Sequence, residues 1–339
     1  MQTLDSTSAT APVCPAKRRP RAPRAVAEQV MHAFEIQPLP RWTRPQSGDT
    51  RAAAVCAGAG LALFDALLRG ADGGEPVYAG CLRQRLALRA AESCAALCRL
   101  REDAAALRDA EHLAGGVETS TAGRLHRLFR LYTSLPARLD AAILRTAGLL
   151  GLNEAIDIRA LAEVATTAPD PLTAAARGSA AAIKLCSPST DAQIFAFVVA
   201  DFALARRLDW ARPVPLLAVA MAHPSLRRGV GGRLPRPSDA DWPAAVAFAY
   251  ALAVAEAHAL ALDLARRAQK LLSVAPVLRA KGARRVVDLL LCDDGVTPAA
   301  AAARAGMSDR AARRLFERLV TLGAARELTG RETFRIYGL

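Results

Sequence analysis

Apolar residues recur at three- and four-residue spacing along most of this chain, a period that predicts helices rather than strands. Helices are expected over Arg51–Leu68, Ala79–Leu113, Ala122–Ser134, Ala137–Leu149, Ile156–Thr166, Leu172–Leu185, Asp191–Leu208 and Pro213–Ala222, with a long one over Ala240–Leu272. Breakers divide them at Gly70 to Gly74, Gly115-Gly116, Pro136, Pro169-Asp170-Pro171, Ser187-Pro188-Ser189 and the loop Gly229–Pro237. Alanine is the commonest apolar residue and aromatics make up only 5%, so these helices should pack closely through thin side-chain layers. No β-type alternation precedes the last forty or so residues.

There the pattern changes. Thr297-Pro298 has the N-cap and first-turn proline of a helix that continues through Ala305 and stops at Gly306. Ser308 caps a second helix, in which Ala312, Leu315, Phe316, Leu319 and Leu322 keep helical spacing up to Gly323. Two short β-prone runs, Ala325–Leu328 and Thr333–Tyr337, then flank Thr329-Gly330-Arg331-Glu332 as a compact hairpin. The order predicts a helix-turn-helix with a two-stranded wing. Ala302, Gly306, Met307, Ala312 and Leu315 fill its crossing, bend and core places. The outward face of the second helix carries Arg310, Arg313, Arg314 and Arg318, where major-groove readers place their contacts, and Arg331 and Arg335 sit on the wing. With the cap Ser308, these are the candidate DNA-binding residues. The alternative is a basic, solvated helix in a module used only for protein contacts.

Charge modifies this picture only through its distribution. The formal net charge is +13, but the chain has only four lysines and is rich in alanine and arginine, as a GC-rich genome would make it whatever its function. Residues 276–339 hold twelve Lys/Arg against seven Asp/Glu, whereas the much longer stretch 51–275 holds 26 against 21. Positive charge is therefore denser at the C-terminus, as a polyanionic partner requires.

At 339 residues and 52% hydrophobic, the chain can bury a large core in more than one domain. We expect a disordered basic tail at 1–37, a helical domain at 38–275 and the winged domain at 276–339. Met1–Arg24 has no apolar segment of the secretory kind, and Lys17–Arg24 reads as a solvated tail or a phosphate-gripping arm. The most apolar stretch, Trp242–Ala255, is expected to be a buried helix, too short to cross a bilayer.

Candidate catalytic chemistry is sparse. The seven cysteines (Cys14, Cys56, Cys81, Cys94, Cys98, Cys186 and Cys292) form no CxxC pair, and Cys94 and Cys98 share a helix face without zinc-spaced partners. They read as small buried hydrophobes of a reduced, cytoplasmic protein. The five histidines are scattered, so no metal, cofactor or catalytic residue is expected. Glu102 and Asp103 are adjacent, point to different faces, and read as ion-pair partners of nearby arginines rather than an acid/base dyad.

Four stretches carry a resemblance: Pro38–Arg44 (PLPRWTR), Arg83–Asp109, His223–Arg236 (HPSLRRGVGGRLPR) and Leu271–Leu339. On these, most of the chain from about residue 38 resembles the domain-of-unknown-function 1403 family of bacterial, often plasmid-encoded proteins. The resemblance implies that the helical and winged parts form one package, and implies no activity. The C-terminal unit is also similar to those trailing bacterial Fic proteins. His223-Pro224 with Gly229, Gly231-Gly232 and Arg233 loosely resembles the Fic loop, in which a histidine deprotonates the target hydroxyl and a glycine-rich turn cradles phosphates. Ser225 replaces the loop's phenylalanine, its acidic and asparagine positions are lost, and two extra residues separate His223 from Arg233.

The reading is an all-α helical domain with a C-terminal winged helix-turn-helix, binding double-stranded DNA and regulating transcription from the cytoplasm. No membrane association is expected. The helical domain is the dimerisation part, giving a homodimer, or the ligand-sensing part. The alternatives are a degenerate Fic-like nucleotidyl transferase and a plasmid-associated protein-interaction adaptor.

Overall fold

The computed structural model describes residues 37–45, 50–70, 73–113, 120–152, 156–227 and 232–339. The basic tail, Arg228 and the glycines at 229 and 231 fall outside these residues. Thirteen α-helices account for most of the chain: α1 (Thr50–Arg69), α2 (Ala79–Leu97), α3 (Ala104–Leu113), α4 (Thr121–Ser134), α5 (Ala141–Leu149), α6 (Ile158–Thr166) and α7 (Pro171–Lys184); then α8 (Thr190–Arg207), α9 (Leu217–Ala220), α10 (Trp242–Val274), α11 (Ala283–Cys292), α12 (Pro298–Ala305) and α13 (Asp309–Thr321). A two-residue antiparallel pair, β1 (Arg326–Glu327) with β2 (Tyr337–Gly338), closes the chain in register Arg326↔Gly338 and Glu327↔Tyr337.

The expected helices form, with three instructive differences. The run Ala79–Leu113 is two helices, because Arg99 takes a left-handed φ of 59° and the Leu100 amide reaches back to Ala95 O, closing α2 in the manner usually left to glycine. Among the described residues Asp103 pairs with no arginine; its carboxylate accepts from the Ala106 amide and starts α3. The stretch expected as a helix over Pro213–Ala222 is helical only at Leu217–Ala220, because the Leu216 and Leu217 amides bond to the buried Asp201. A helix not anticipated from the sequence, α11, fills the approach to the C-terminal elements.

Helix α10, 33 residues long, is the axis of the helical body: it lies along α1 and touches α2, α7, α9 and α11. It and α1 are long and apolar enough to cross a membrane by length and composition, contrary to the expectation for Trp242–Ala255. The apolar window of α10 is two-thirds buried against other helices, which accounts for its composition. Helices α7 and α8 pack closely: a Cβ on Gly178 would stand 3.4 Å from Ala203 and 3.6 Å from Val199, and the buried positions of α7 are mostly alanine. Trp242 is stacked on Phe197 and donates from Nε1 to Ser179 Oγ at 2.9 Å, tying the start of α10 to this pair.

One buried acid holds four segments together. The Asp201 carboxylate on α8 accepts from Tyr132 Oη of α4, Tyr250 Oη of α10 and the amides of Leu216 and Leu217. Burial pushes this carboxyl up to about 7, against the lowering effect of those four donors. All described residues belong to one compact unit, so the boundary expected at 275/276 lies within it.

Candidate nucleic-acid interface

The C-terminal elements are organised by caps and glycines that the local sequence specifies. Gly282, at φ 90°, precedes α11, whose buried face is Val286, Val287, Leu290 and Leu291. Thr297 Oγ1 accepts from the Ala300 amide and starts α12, which Gly306 ends at φ 65°. Ser308 Oγ accepts from the Ala311 amide and starts α13. Between α11 and α12, Val296 exchanges both backbone hydrogen bonds with Tyr337, so the hairpin gains a third extended line. Phe316 of α13 stacks on Tyr337 with ring centres 4.4 Å apart and planes 7° from parallel.

On α13, Ala312, Leu315, Phe316 and Leu319 are buried and pack inward. All six arginines proposed from the sequence are exposed, and their partners differ. Arg310, Arg314 and Arg318 have no ion-pair partner among the described residues. Arg313 pairs with Asp309 at 2.6 Å one turn earlier. Arg331 pairs with Asp109 of α3 at 2.5 Å, and Arg335 Nε donates to Arg331 O. Ser308 Oγ accepts the Ala311 amide as the helix cap, which orients the start of α13, and its hydroxyl keeps a proton to donate. Glu317 is exposed on the same side of α13, one turn beyond Arg313 and Arg314, a negative charge that the sequence reading left out.

The segment between the strands differs from the expected compact hairpin. Residues 328–336 form a longer loop in which Glu327 accepts from the Thr329 and Gly330 amides and from Thr329 Oγ1. Thr333 is not in a strand; its neighbour Phe334 has a φ of 55° and is 73% exposed at the loop's tip. A groove runs between this loop and α13, lined by Arg313, Glu317, Glu332, Phe334 and Arg335. A second groove, on the opposite flank of α13, is lined by Val277, Leu278, Arg279, Arg314 and Arg318.

What attaches these elements to the helical body is a charge cluster that sequence reasoning missed. Asp294 is fully buried beside α11, and its Oδ1 lies 2.7 Å from Arg130 Nη1 of α4. Arg130 also holds Asp293 through two hydrogen bonds of 3.0 and 3.1 Å, and pairs with Glu111 at 3.4 Å. Arg108 and His112 of α3 approach Asp294 at 3.7 and 3.6 Å. Burial pushes the Asp294 carboxyl up, but His112, Arg130 and His126 outweigh it and hold the group well below the usual carboxylate range. His112, Asp293 and Asp294 bring ligand atoms within 4.8 Å of one another, a spacing that suits a cation, yet the Arg130 guanidinium already supplies that charge. His126 is buried with Nδ1 on Leu107 O, and burial lowers its pKa.

Backbone contact is equally close. A Cβ on Gly80 would come within 2.9 Å of Cys292 Cα, and one on Gly338 within 2.7 Å of Asp294 O, so both crossings depend on glycine. Arg85 of α2 and Arg326 both donate to the Leu339 oxygen.

Among the described residues of the loop compared with the Fic motif, three polar side chains are engaged within it or beside it. His223 Nδ1 accepts from the Ser225 amide, Arg227 donates to Gly232 O, and Arg233 pairs with Asp239 at 3.0 Å. Cys94 is buried and Cys98 half-buried, and burial raises both thiols.

The profile of a family described as a protein of unknown function, DUF1403, matches residues 27–339, which takes in the helical body and the C-terminal elements alike. The chain belongs to the DUF1403 family. Among curated proteins, none matches it. In this family member the match runs unbroken across the Arg130–Asp294 contact, so the body and the C-terminal elements lie within a single family unit.

Proposed function

We propose that residues 276–339 act as a winged helix-turn-helix that binds double-stranded DNA through α13, in a cytoplasmic transcriptional regulator whose helical body dimerises or senses a ligand. The element order supports the winged reading: a helix, an extended residue paired with the last strand, two helices joined by a tight turn, then a hairpin. The observation that carries the functional reading is the exposed face of α13. Arg310, Arg314 and Arg318 stand there without acidic partners among the described residues, while the opposite face is fully used in packing. Even with Glu317 among them, three guanidiniums that enter no ion pair among the described residues give this face a net positive charge, which suits phosphate and guanine edges.

The test is a mobility shift on fragments from upstream of the protein's own gene, with a salt titration. The parent is expected to bind with affinity that falls steeply as salt rises. Arg310→Ala with Arg314→Ala should weaken specific binding by about 1–3 kcal/mol per residue if both read bases, with unchanged thermal unfolding. A parent that shows no salt-dependent binding to any duplex removes the proposal.

A further inference from the structure

The α13 face has a basic border that its own sequence does not announce. Arg279 and Lys281 lie on the segment between α10 and α11, and Arg284 and Arg285 on the first turn of α11. All four are exposed, and none has an ion-pair partner among the described residues. The fold brings this segment to the turn before α13. A Cβ on Gly282 would meet Ala305 O at 2.8 Å and Met307 Cε at 2.9 Å, so the start of α11 is pressed against the turn joining α12 to α13. Arg285 Nη1 is 3.9 Å from where a Cβ on Gly306 would stand, and Arg279 shares a groove with Arg314 and Arg318.

Local stability does not explain these charges. The positive end of a helix dipole disfavours cations, and the first turn of α11 has two arginines and no acidic residue. Like charges crowded around one turn repel each other as well. Exposed Asp288 stands one turn further along α11, and the segment still carries four positive charges that an anionic partner would stabilise.

We infer that Arg279, Lys281, Arg284 and Arg285 form a strip that grips the sugar-phosphate backbone of duplex DNA beside α13, on the flank opposite the hairpin loop. The inference rests on the DNA-binding reading above and adds a division of labour to it. The strip holds phosphates without regard to sequence, and the α13 arginines face the groove. One strip residue, Arg279, shares a groove with Arg314 and Arg318, which joins the strip to the α13 arginines and favours a nucleic-acid backbone over an acidic protein surface.

The experiment uses the full-length chain and two short duplexes, one from its own upstream region and one of scrambled sequence. The variant replaces all four strip residues with alanine. We expect binding to both duplexes to fall at least about tenfold at moderate salt, and the log–log salt slope to flatten by about 3 to 4, near 0.9 for each phosphate that is no longer neutralised. The preference for one duplex over the other should be preserved, and thermal unfolding should occur at the same or a higher temperature. An unchanged slope and affinity in the strip variant, alongside abolished binding in the Arg310→Ala, Arg314→Ala variant, would overturn the strip and leave the DNA-binding reading standing. A clear drop in unfolding temperature would also overturn it, by making the residues structural. A parent that binds neither duplex sinks both.

Discussion

Replacing Arg130 with methionine is expected to lower stability by about 3–5 kcal/mol in urea unfolding, because it removes the one guanidinium that hydrogen-bonds both carboxylates. Asp294 is fully buried and Asp293 partly so, and both take hydrogen bonds from this one guanidinium. Arg108 and His112 remain at 3.6 Å or more from Asp294, too far to replace those bonds. Adding Asp294→Leu to Arg130→Met should recover part of the loss, since removing both partners of a buried pair costs less than removing one. The acid limb tests the same ion pair. A carboxyl held below its ordinary value stabilises the fold above about pH 4, and that stability is lost as the pH falls further. Asp294→Asn should therefore lack this component of acid sensitivity. Because the cluster joins α3 and α4 to the end of α11, Arg130→Met should also make the segment 273–282 more open to limited proteolysis. A loss below about 1 kcal/mol would mean that Arg130 is not the main support of these carboxylates.

Asp201→Leu should be comparably damaging, by about 3–5 kcal/mol, since it leaves two tyrosine hydroxyls and the Leu217 amide without their acceptor in the core and leaves the Leu216 amide only Val214 O. Asp201→Asn keeps one acceptor oxygen and should cost less. The pH dependence separates the acid from its amide. Burial raises the Asp201 carboxyl to about 7, above its value in the unfolded chain. Its contribution is therefore fully present below about pH 4 and is lost as the pH rises through 7, the opposite sense to Asp294. The stability advantage of the parent over Asp201→Asn should shrink from pH 5 to pH 8. Superimposable pH profiles for the two proteins would refute a perturbed Asp201.

Much of the fold was legible because it depends on neighbours in the chain. The caps Thr297 and Ser308, the glycines at 306 and 323, and the apolar stripe of α13 act within a few residues, so their elements end close to where the pattern puts them. Local reading failed where a local rule was broken. Arg99 ends α2 in a conformation that glycine would have advertised, and Phe334 turns the hairpin loop at a positive φ where a strand was expected. Helix α11 was hidden because arginines occupy the first turn, where an acidic residue would have signalled a start.

The sequence by itself determined that the chain is helical, that its last elements are two capped helices and a hairpin, and that α13 is arginine-rich on one side. These follow from periods of three to four residues and from capping chemistry, which are short-range. Only the tertiary structure decided which arginines are spent. Arg313 pairs within its own helix, Arg331 is engaged by Asp109, and Arg130 serves carboxylates 163 and 164 residues away. It also decided that the basic start of α11 borders the turn between α12 and α13, through the approach of Gly282 to Ala305 and Met307. Charge pairing and burial depend on distances through space, and no spacing along the chain encodes a partner more than a hundred residues away.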